Sequence, residues 1–256
     1  MTTYLYFIIL TAITGSPVGA AAILVIAWLV LDRFTLNVLP DPYRAVMRWR
    51  RVGTLERTLL NNPHDRRARG ELAEHYVARK KYAKAMEVLR PNLEAGDDDA
   101  AMVFTMGVAC LGAGHAPQGE TLLDHVEQLD PRFRLGEVDL ARGTFRLQRG
   151  DFAGAKEALE RLVAVRKGSV EGRVLLARAW EGLKDDGKAA LLLDEAWGEY
   201  VASPGFQKRK ERKWAWRARP SRPLIYLTLV LLGLFVFYKF AAPHLIPPEP
   251  TAYQGD

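Results

Sequence analysis

The chain has 256 residues, 10% of them aromatic, and a formal net charge of +6, which fits one or two folded domains. Residues 52–207 hold 22 Lys/Arg against 25 Asp/Glu, while the remainder holds 14 against 5. The middle is therefore mildly acidic and the basicity lies in its flanks, a membrane-protein pattern that argues against a phosphate-binding domain.

Tyr4–Leu31 carries no charged residue over 28 positions. A helix needs about 20 apolar residues to cross the hydrocarbon core, so this stretch is expected to span a membrane with some tilt. Gly15, Pro17 and Gly19 are possible kink points. A cleaved signal peptide would have Lys or Arg ahead of the apolar run and a mature start after it. Neither is present, so a retained transmembrane helix over 4–31 is expected. The linker over 32–53 carries Arg33, Arg44, Arg48, Arg50 and Arg51 and is interrupted by Pro40 and Pro42. It is expected to leave the membrane, turn, and restart as a helix over Tyr43–Trp49, with Trp49 at headgroup level. Leu55–Leu60 then reads as a half-repeat ending at Asn61-Asn62-Pro63 that covers the first face of a helical array.

The segment 54–204 repeats itself. Leu72/Tyr76 and Tyr82/Ala85/Leu89 are spaced three or four apart, so each set forms an apolar stripe on a short helix. Neither helix can bury its stripe alone, which predicts a hairpin that stacks on neighbours. Thirty-four residues on, Leu72, Ala73 and Tyr76 become Met106, Gly107 and Cys110, and Leu89 becomes Leu123. A third copy holds Gly150-Asp151-Phe152, Ala155 and Leu159, and a fourth holds Leu176, Ala177, Trp180, Ala189, Leu193 and Ala196. Successive copies are 34, 36 and 34 residues apart.

These residues, over roughly Arg66–Pro204, resemble the tetratricopeptide repeat, whose pattern sets small residues and aromatics at such positions and a proline at the end, here Pro131. Two departures stand out. Copy three has Arg142 and Arg146 where apolar residues are expected, and Pro91 is expected to kink or shorten the second helix of copy one. The fold implied is all-α: a TPR-like α-solenoid of about four helical hairpins flanked by two transmembrane helices. The chain as a whole is similar to bacterial membrane proteins with divergent repeats of this kind. Within copy two, Gly112 and Gly114 are expected to end the first helix and Pro117 to open the second. Asp97-Asp98-Asp99 reads as a solvated turn matched to a helix N-terminus, in preference to a metal site.

Residues 205–222 form a basic segment with eight Lys/Arg against Glu211, interleaved with Trp214 and Trp216. Arginines among aromatics can grip nucleic acid. They equally suit an anionic lipid surface, and the apolar run over 223–242 just beyond favours the second reading. Lys208, Arg209, Lys210, Arg212, Lys213, Trp214, Trp216 and Arg217 are the expected membrane-surface residues. The tail over 243–256, with Pro247, Pro248 and Pro250, is expected to be unfolded. Both spans carry their basic excess on the side of the repeats. The positive-inside rule therefore places the repeats in the cytoplasm and both termini outside, in a bacterial inner membrane.

No catalytic constellation is present in the sequence. His64, His75, His115, His125 and His244 show no HExxH spacing, and no phosphate-binding glycine loop or GxSxG occurs. Cys110 stands in a core-aromatic position and reads as a small buried hydrophobe. No cofactor, metal or small-molecule substrate is expected.

The resemblance implies that the first helix of each pair lines a groove through its second, fifth, ninth and twelfth positions. These are Arg67, Gly70, Glu74 and Val77; Ala101, Phe104, Val108 and Leu111; Glu137, Leu140, Thr144 and Leu147; and Glu171, Val174, Arg178 and Glu181. The trough is expected to be apolar in the middle and charged at its ends, suited to a helix or an extended peptide. Gly70 and Glu74 stand where carboxylate-clamping repeats carry Lys and Asn. The chain's own Phe206–Trp214 is an alternative occupant. The functional expectation is a non-enzymatic, membrane-tethered adaptor that binds a peptide or helix of a protein partner. The alternatives are an accessory or regulatory subunit of a membrane enzyme complex, contacting it through its spans with Gly15, Gly19 and Ala20–Ala22 as packing positions, and nucleic-acid binding through 208–222.

Overall fold

The structure, a computed structural model, describes residues 11, 15, 19, 23, 42–96, 98–225, 228 and 232. The expected spans over 4–31 and 223–242 and the tail over 243–256 lie outside these residues, save for isolated positions and 223–225. Among the described residues the regular elements are helical, and no helix is long and apolar enough to cross a membrane.

The helices are α1 (Pro42–Asn61), α2 (Arg66–Ala78), α3 (Tyr82–Glu94), α4 (Ala100–Ala113) and α5 (Ala116–Leu129), then a 3₁₀ turn at Phe133–Leu135. After it come α6 (Glu137–Gln148), α7 (Phe152–Val165), α8 (Val170–Gly182), α9 (Asp186–Ala202) and α10 (Gly205–Ala218). The chain falls into two compact units, Met1–Ala141 and Arg142–Asp256.

In the first unit α2/α3 and α4/α5 are the hairpins expected from the repeat. Their core joins Leu72, Ala73, Tyr76, Ala85 and Leu89, all buried, to Val52 and Leu55 of α1. α1 is one continuous helix, not a short helix followed by a half-repeat. Gly53 does not break it, because a mid-helix glycine costs only about 1 kcal/mol, and Val52 and Leu55 bury their side chains on either side of it. Two polar contacts fix α1 on α2: Arg51 grips Glu71 with both fork nitrogens at 2.6 Å, and the Tyr76 hydroxyl donates to Glu56 at 2.7 Å. The expected shortening at Pro91 does not occur, since α3 runs on to Glu94. The next residue holds that last turn in place. Asn92, fully buried, donates to the Arg66 carbonyl and accepts from Arg69, both at 3.0 Å, tying the end of α3 to the start of α2.

The second unit repeats the logic. Leu159 and Leu162 of α7 are fully buried, and Leu159 lies against Gly143 of α6, where a Cβ would come within 2.5 Å of it. Arg142, expected to be out of place, is buried nonetheless. Arg173 of α8 is held by the Lys167 carbonyl and by Glu199 of α9 at 3.2 Å. Trp180 fills the aromatic position of copy four between the ammonium groups of Lys156 and Lys188, 4.9 and 4.0 Å from its ring centre.

The turn between the two helices of every pair is made in one way. Lys80, Gly114, Gly150 and Lys184 occupy the same repeat position, and all four have left-handed φ, at 57°, 93°, 79° and 62°. Gly114 is the C-cap of α4, whereas Gly112, expected to help end that helix, lies inside it. The lack of a Cβ there admits the Tyr82 ring, as Gly182 admits Phe152.

A left-handed residue with a side chain costs roughly 1–2 kcal/mol, part of which glycine returns through its freer unfolded state. Lys80→Gly and Lys184→Gly should therefore each raise the unfolding free energy by about 0.5–1 kcal/mol. Gly150→Ala should lower it by about 1 kcal/mol. Urea denaturation of the three variants measures both signs.

Candidate peptide-binding groove

In the first unit, the residues expected to line the trough are not equivalent. Arg67 and Glu74 are exposed, and Val77, Phe104 and Val108 are half-buried. Leu111 is only 8% exposed. It points at Gly119 of α5, whose missing side chain leaves it space, so it closes its own hairpin and offers no surface to a ligand. Val77 packs against the core around Leu72 and contributes only an edge. Gly70 is covered by Met102.

Two positions of this trough, Phe104 and Glu74, are already occupied, by a segment the sequence did not single out. The connection from α5 to α6 carries the two residues by which the third copy departs from the 34-residue period. Its Phe133 ring, buried, meets the Phe104 ring at 5.1 Å with a tilt of 44°. Arg134 reaches back 60 positions to donate to Glu74 at 2.9 Å, and its guanidinium also lies 5.1 Å from the Phe133 ring centre. This reach costs backbone strain. Arg134, Leu135 and Gly136 have successive left-handed φ of 42°, 50° and 84°, and only the last is glycine. The cost of two such residues, roughly 1–2 kcal/mol each, is of the same order as what holds the loop down. An aromatic pair contributes about 0.5–1.5 kcal/mol beyond burial, and an ion pair with both side chains 47% exposed contributes at most about 1 kcal/mol. Burial of the Phe133 side chain adds about 1.5–3 kcal/mol on the side of the closed loop.

Leu140, the last trough position of this unit, is half-buried on α6. In the second unit, Thr144 and Leu147 are half-buried while Arg178 and Glu181 are exposed. Val174 does not belong to an open surface: it is 1% exposed and clusters with Ala196, Ala215 and Ala218 beneath α10. The reason is a capping contact. Glu211, the single acid of the basic segment, accepts from the amides of Val170 and Glu171 at 2.6 and 3.2 Å, alongside the Ser169 cap on Gly172. A carboxylate at a helix N-terminus satisfies free amides and the positive end of the dipole. α10 is thereby docked on α8, so part of the expected alternative occupant, Phe206–Trp214, does cover a trough position of its own unit.

α10 also locates the expected membrane-surface residues. Arg209, Lys210, Lys213 and Arg217 are exposed, and Lys208 and Arg212 are half-buried. Trp214 and Trp216 are half-buried, Trp214 packing on the Val174 cluster with the Arg217 guanidinium 4.3 Å from its ring centre. Arg219 and Arg222 lie over Trp197 in the same way.

Burial pushes the Cys110 thiol up from its ordinary range, in keeping with a small core residue. Hydrogen bonding from Arg51 lowers the Glu71 carboxyl, and the Lys188 amide lowers Asp185, the cap of α9. Asp99 caps α4 through the Ala101 amide, and Asp98 lies 3.5 Å from His125. Asp97 is outside the described residues. No group of three His, Cys, Asp or Glu among the described residues could hold a metal ion.

The tetratricopeptide repeat family profile matches residues 52–100 and 140–204. The stretch between the two matches contains the copy with Cys110 and the loop with Phe133 and Arg134. No curated protein is matched by the chain. Among solved structures, the chain is similar to MamA, with a TM-score of 0.51 and 16% identity over 59% of this chain and 87% of that one. A MamA structure from AMB-1 gives 0.51 and 17% over 62% and 94%. A thermophilic TPR protein of Thermus thermophilus gives 0.48 and 22% over 65% and 88%. At these identities the likeness to MamA is one of fold: all-α and TPR-like.

Glu211→Ala should free two amides of α8 and lower the unfolding free energy by about 1–2 kcal/mol. Faster limited proteolysis within Lys208–Lys213 would accompany it, and Glu211→Gln should fall in between. The Tyr76 hydroxyl is pushed up to about 12, chiefly by burial and then by the hydrogen bond to Glu56. Folding therefore favours its protonated form, and the resulting stability is complete below the unfolded value near 10 and lost as pH rises towards 12. Between pH 9 and 12 the stability of the chain should fall more steeply than that of Tyr76→Phe, as measured by denaturation midpoints.

Proposed function

We propose that this chain is a non-enzymatic adaptor, tethered to a membrane by spans over 4–31 and 223–242, whose repeats grip a peptide or helix of a protein partner. The observation that carries this reading is the occupied face of the first unit. First-helix side chains Glu74 and Phe104 hold an arginine and a phenylalanine from a non-adjacent segment, which is how a peptide-binding face works. Val108 is half-buried in the same unit, and Thr144 and Leu147 in the other, flanked by the exposed Arg178 and Glu181.

The repeats lie on the cytoplasmic side of a bacterial inner membrane in this reading, with both termini outside. Its support is the charge distribution: the basic residues of the flanks stand next to the apolar runs on the side of the repeats. On α10, Glu211 is committed to capping α8, so the exposed Arg209, Lys210, Lys213 and Arg217 face no acid of their own segment. Such a surface suits anionic lipid headgroups, at about 1 kcal/mol per basic residue. Nucleic-acid binding through 208–222 has less support, because Trp214 packs on its own unit and carries Arg217, so its ring is not a free platform for a base.

A photocrosslinking residue at Val108 or Thr144 should capture a defined protein partner in cells. Recovery of nothing beyond the chain's own peptides would remove the adaptor reading. Asp98→Cys, at an exposed site, should resist membrane-impermeant thiol reagents in intact cells and react after lysis. Labelling before lysis would overturn the cytoplasmic placement.

A further inference from the structure

We infer that the first unit's face is a receptor for an aromatic–basic pair, and that residues 130–136 hold it as an internal competitor for such a segment of a protein partner. This rests on the peptide-binding reading above and gives it a chemistry. The two subsites are defined by what fills them. Phe104 accepts an aromatic ring, Phe133, at 5.1 Å, and Glu74 accepts a guanidinium, Arg134, at 2.9 Å. Adjacent residues thus supply the ring and the charge, so a partner segment carrying Phe, Tyr or Trp followed by Arg fits both at once. The Arg134 fork is directional and permanently charged, which favours arginine over lysine at the second position.

The occupant is also arranged to be displaceable. It lies in the connection that is two residues longer than the 34-residue period, outside the Gly107–Leu123 and Gly143–Leu159 contacts that close the neighbouring hairpins. Arg134 and Leu135 sit in left-handed backbone, a conformation kept only while the side-chain contacts hold it, and Leu135 is 60% exposed. The ion pair it relies on is half in solvent. An untethered partner segment that offers the same two side chains competes for the same subsites. The loop in turn has the advantage of tethering, an effective concentration on the order of millimolar. The apparent affinity for a partner is its intrinsic affinity reduced by the fraction of chains whose loop is open.

The test uses the full chain in detergent and a fluorescent peptide with the sequence of residues 130–136, Asp-Pro-Arg-Phe-Arg-Leu-Gly, read by anisotropy. The double variant Phe133→Ala/Arg134→Ala should bind it about tenfold or more tightly than the wild-type chain, which corresponds to an open fraction of about one in ten or less. Adding Glu74→Arg should abolish that binding, and a peptide with Glu in place of its second Arg should restore it. Arg134→Ala alone, a change at a half-exposed side chain, should fall between wild type and the double variant and serves if the double variant loses helical circular dichroism. Equal affinity for wild type and the loop variants overturns the inference, as does binding indifferent to Glu74→Arg or no binding to any variant. Crosslinking from Val108 decides the wider adaptor reading separately: a partner captured there without aromatic–basic peptide binding would leave that reading standing and this inference refuted.

Discussion

The described helices of this chain run to 20 residues at most, and the repeat helices from 12 to 17, too short to stand alone in water. What makes them stable in pairs is a contact that recurs from copy to copy. A residue with little or no side chain on the first helix accepts a leucine sixteen positions later on the second, Gly107 with Leu123 and Gly143 with Leu159, and in the same repeat positions of copy one Ala73 and Leu89 share a buried cluster. Leu89, Leu123 and Leu159 are wholly buried by it. Burying a leucine contributes about 1.5–3 kcal/mol, and replacing one by alanine in such a site costs about 2–5 kcal/mol. The left-handed turn residue that joins the two helices follows from this contact, since the chain must reverse sharply for the leucine to arrive.

Once each pair is closed in this way, the first helices have one face left over, and the two units use it differently. The first unit covers its face with a longer connection, in which the burial of Phe133 offsets two strained residues. The second draws α10 down onto α8 through Glu211. In both, a single side chain that breaks the local composition carries the contact: an aromatic in a polar loop, an acid in a basic run. Such residues make little sense within their own segment and become intelligible only with their partner in view.

The charge of the chain also has two scales. Across its length, the basic flanks and acidic middle belong to electrostatics that act over a Debye length and require no particular geometry. Within the fold, individual charges such as Arg51, Arg173 and Glu211 are engaged one to one, and their contribution comes from the amides and carboxylates they satisfy. Counting α10 as a basic segment is correct for the first scale and silent on the second.

The sequence by itself determined the helical pairs, their number, the small residues and leucines that recur in them, the acidic turn ahead of α4, Pro117 in the first turn of α5 and the burial of Cys110. All of these are local or periodic, written within about 34 residues of themselves. It also exposed the two-residue break in the period, without saying what the extra residues do. Only the tertiary structure decided that Leu111 and Val174 are packing residues and not trough residues, that Pro91 sits within α3, that α1 is continuous, and that Phe133 and Arg134 lie on Phe104 and Glu74. Each of these depends on which neighbour a side chain meets from 8 to 60 positions away. A repeat pattern fixes the direction in which a residue points on its helix but not what a connection of irregular length brings to lie over it.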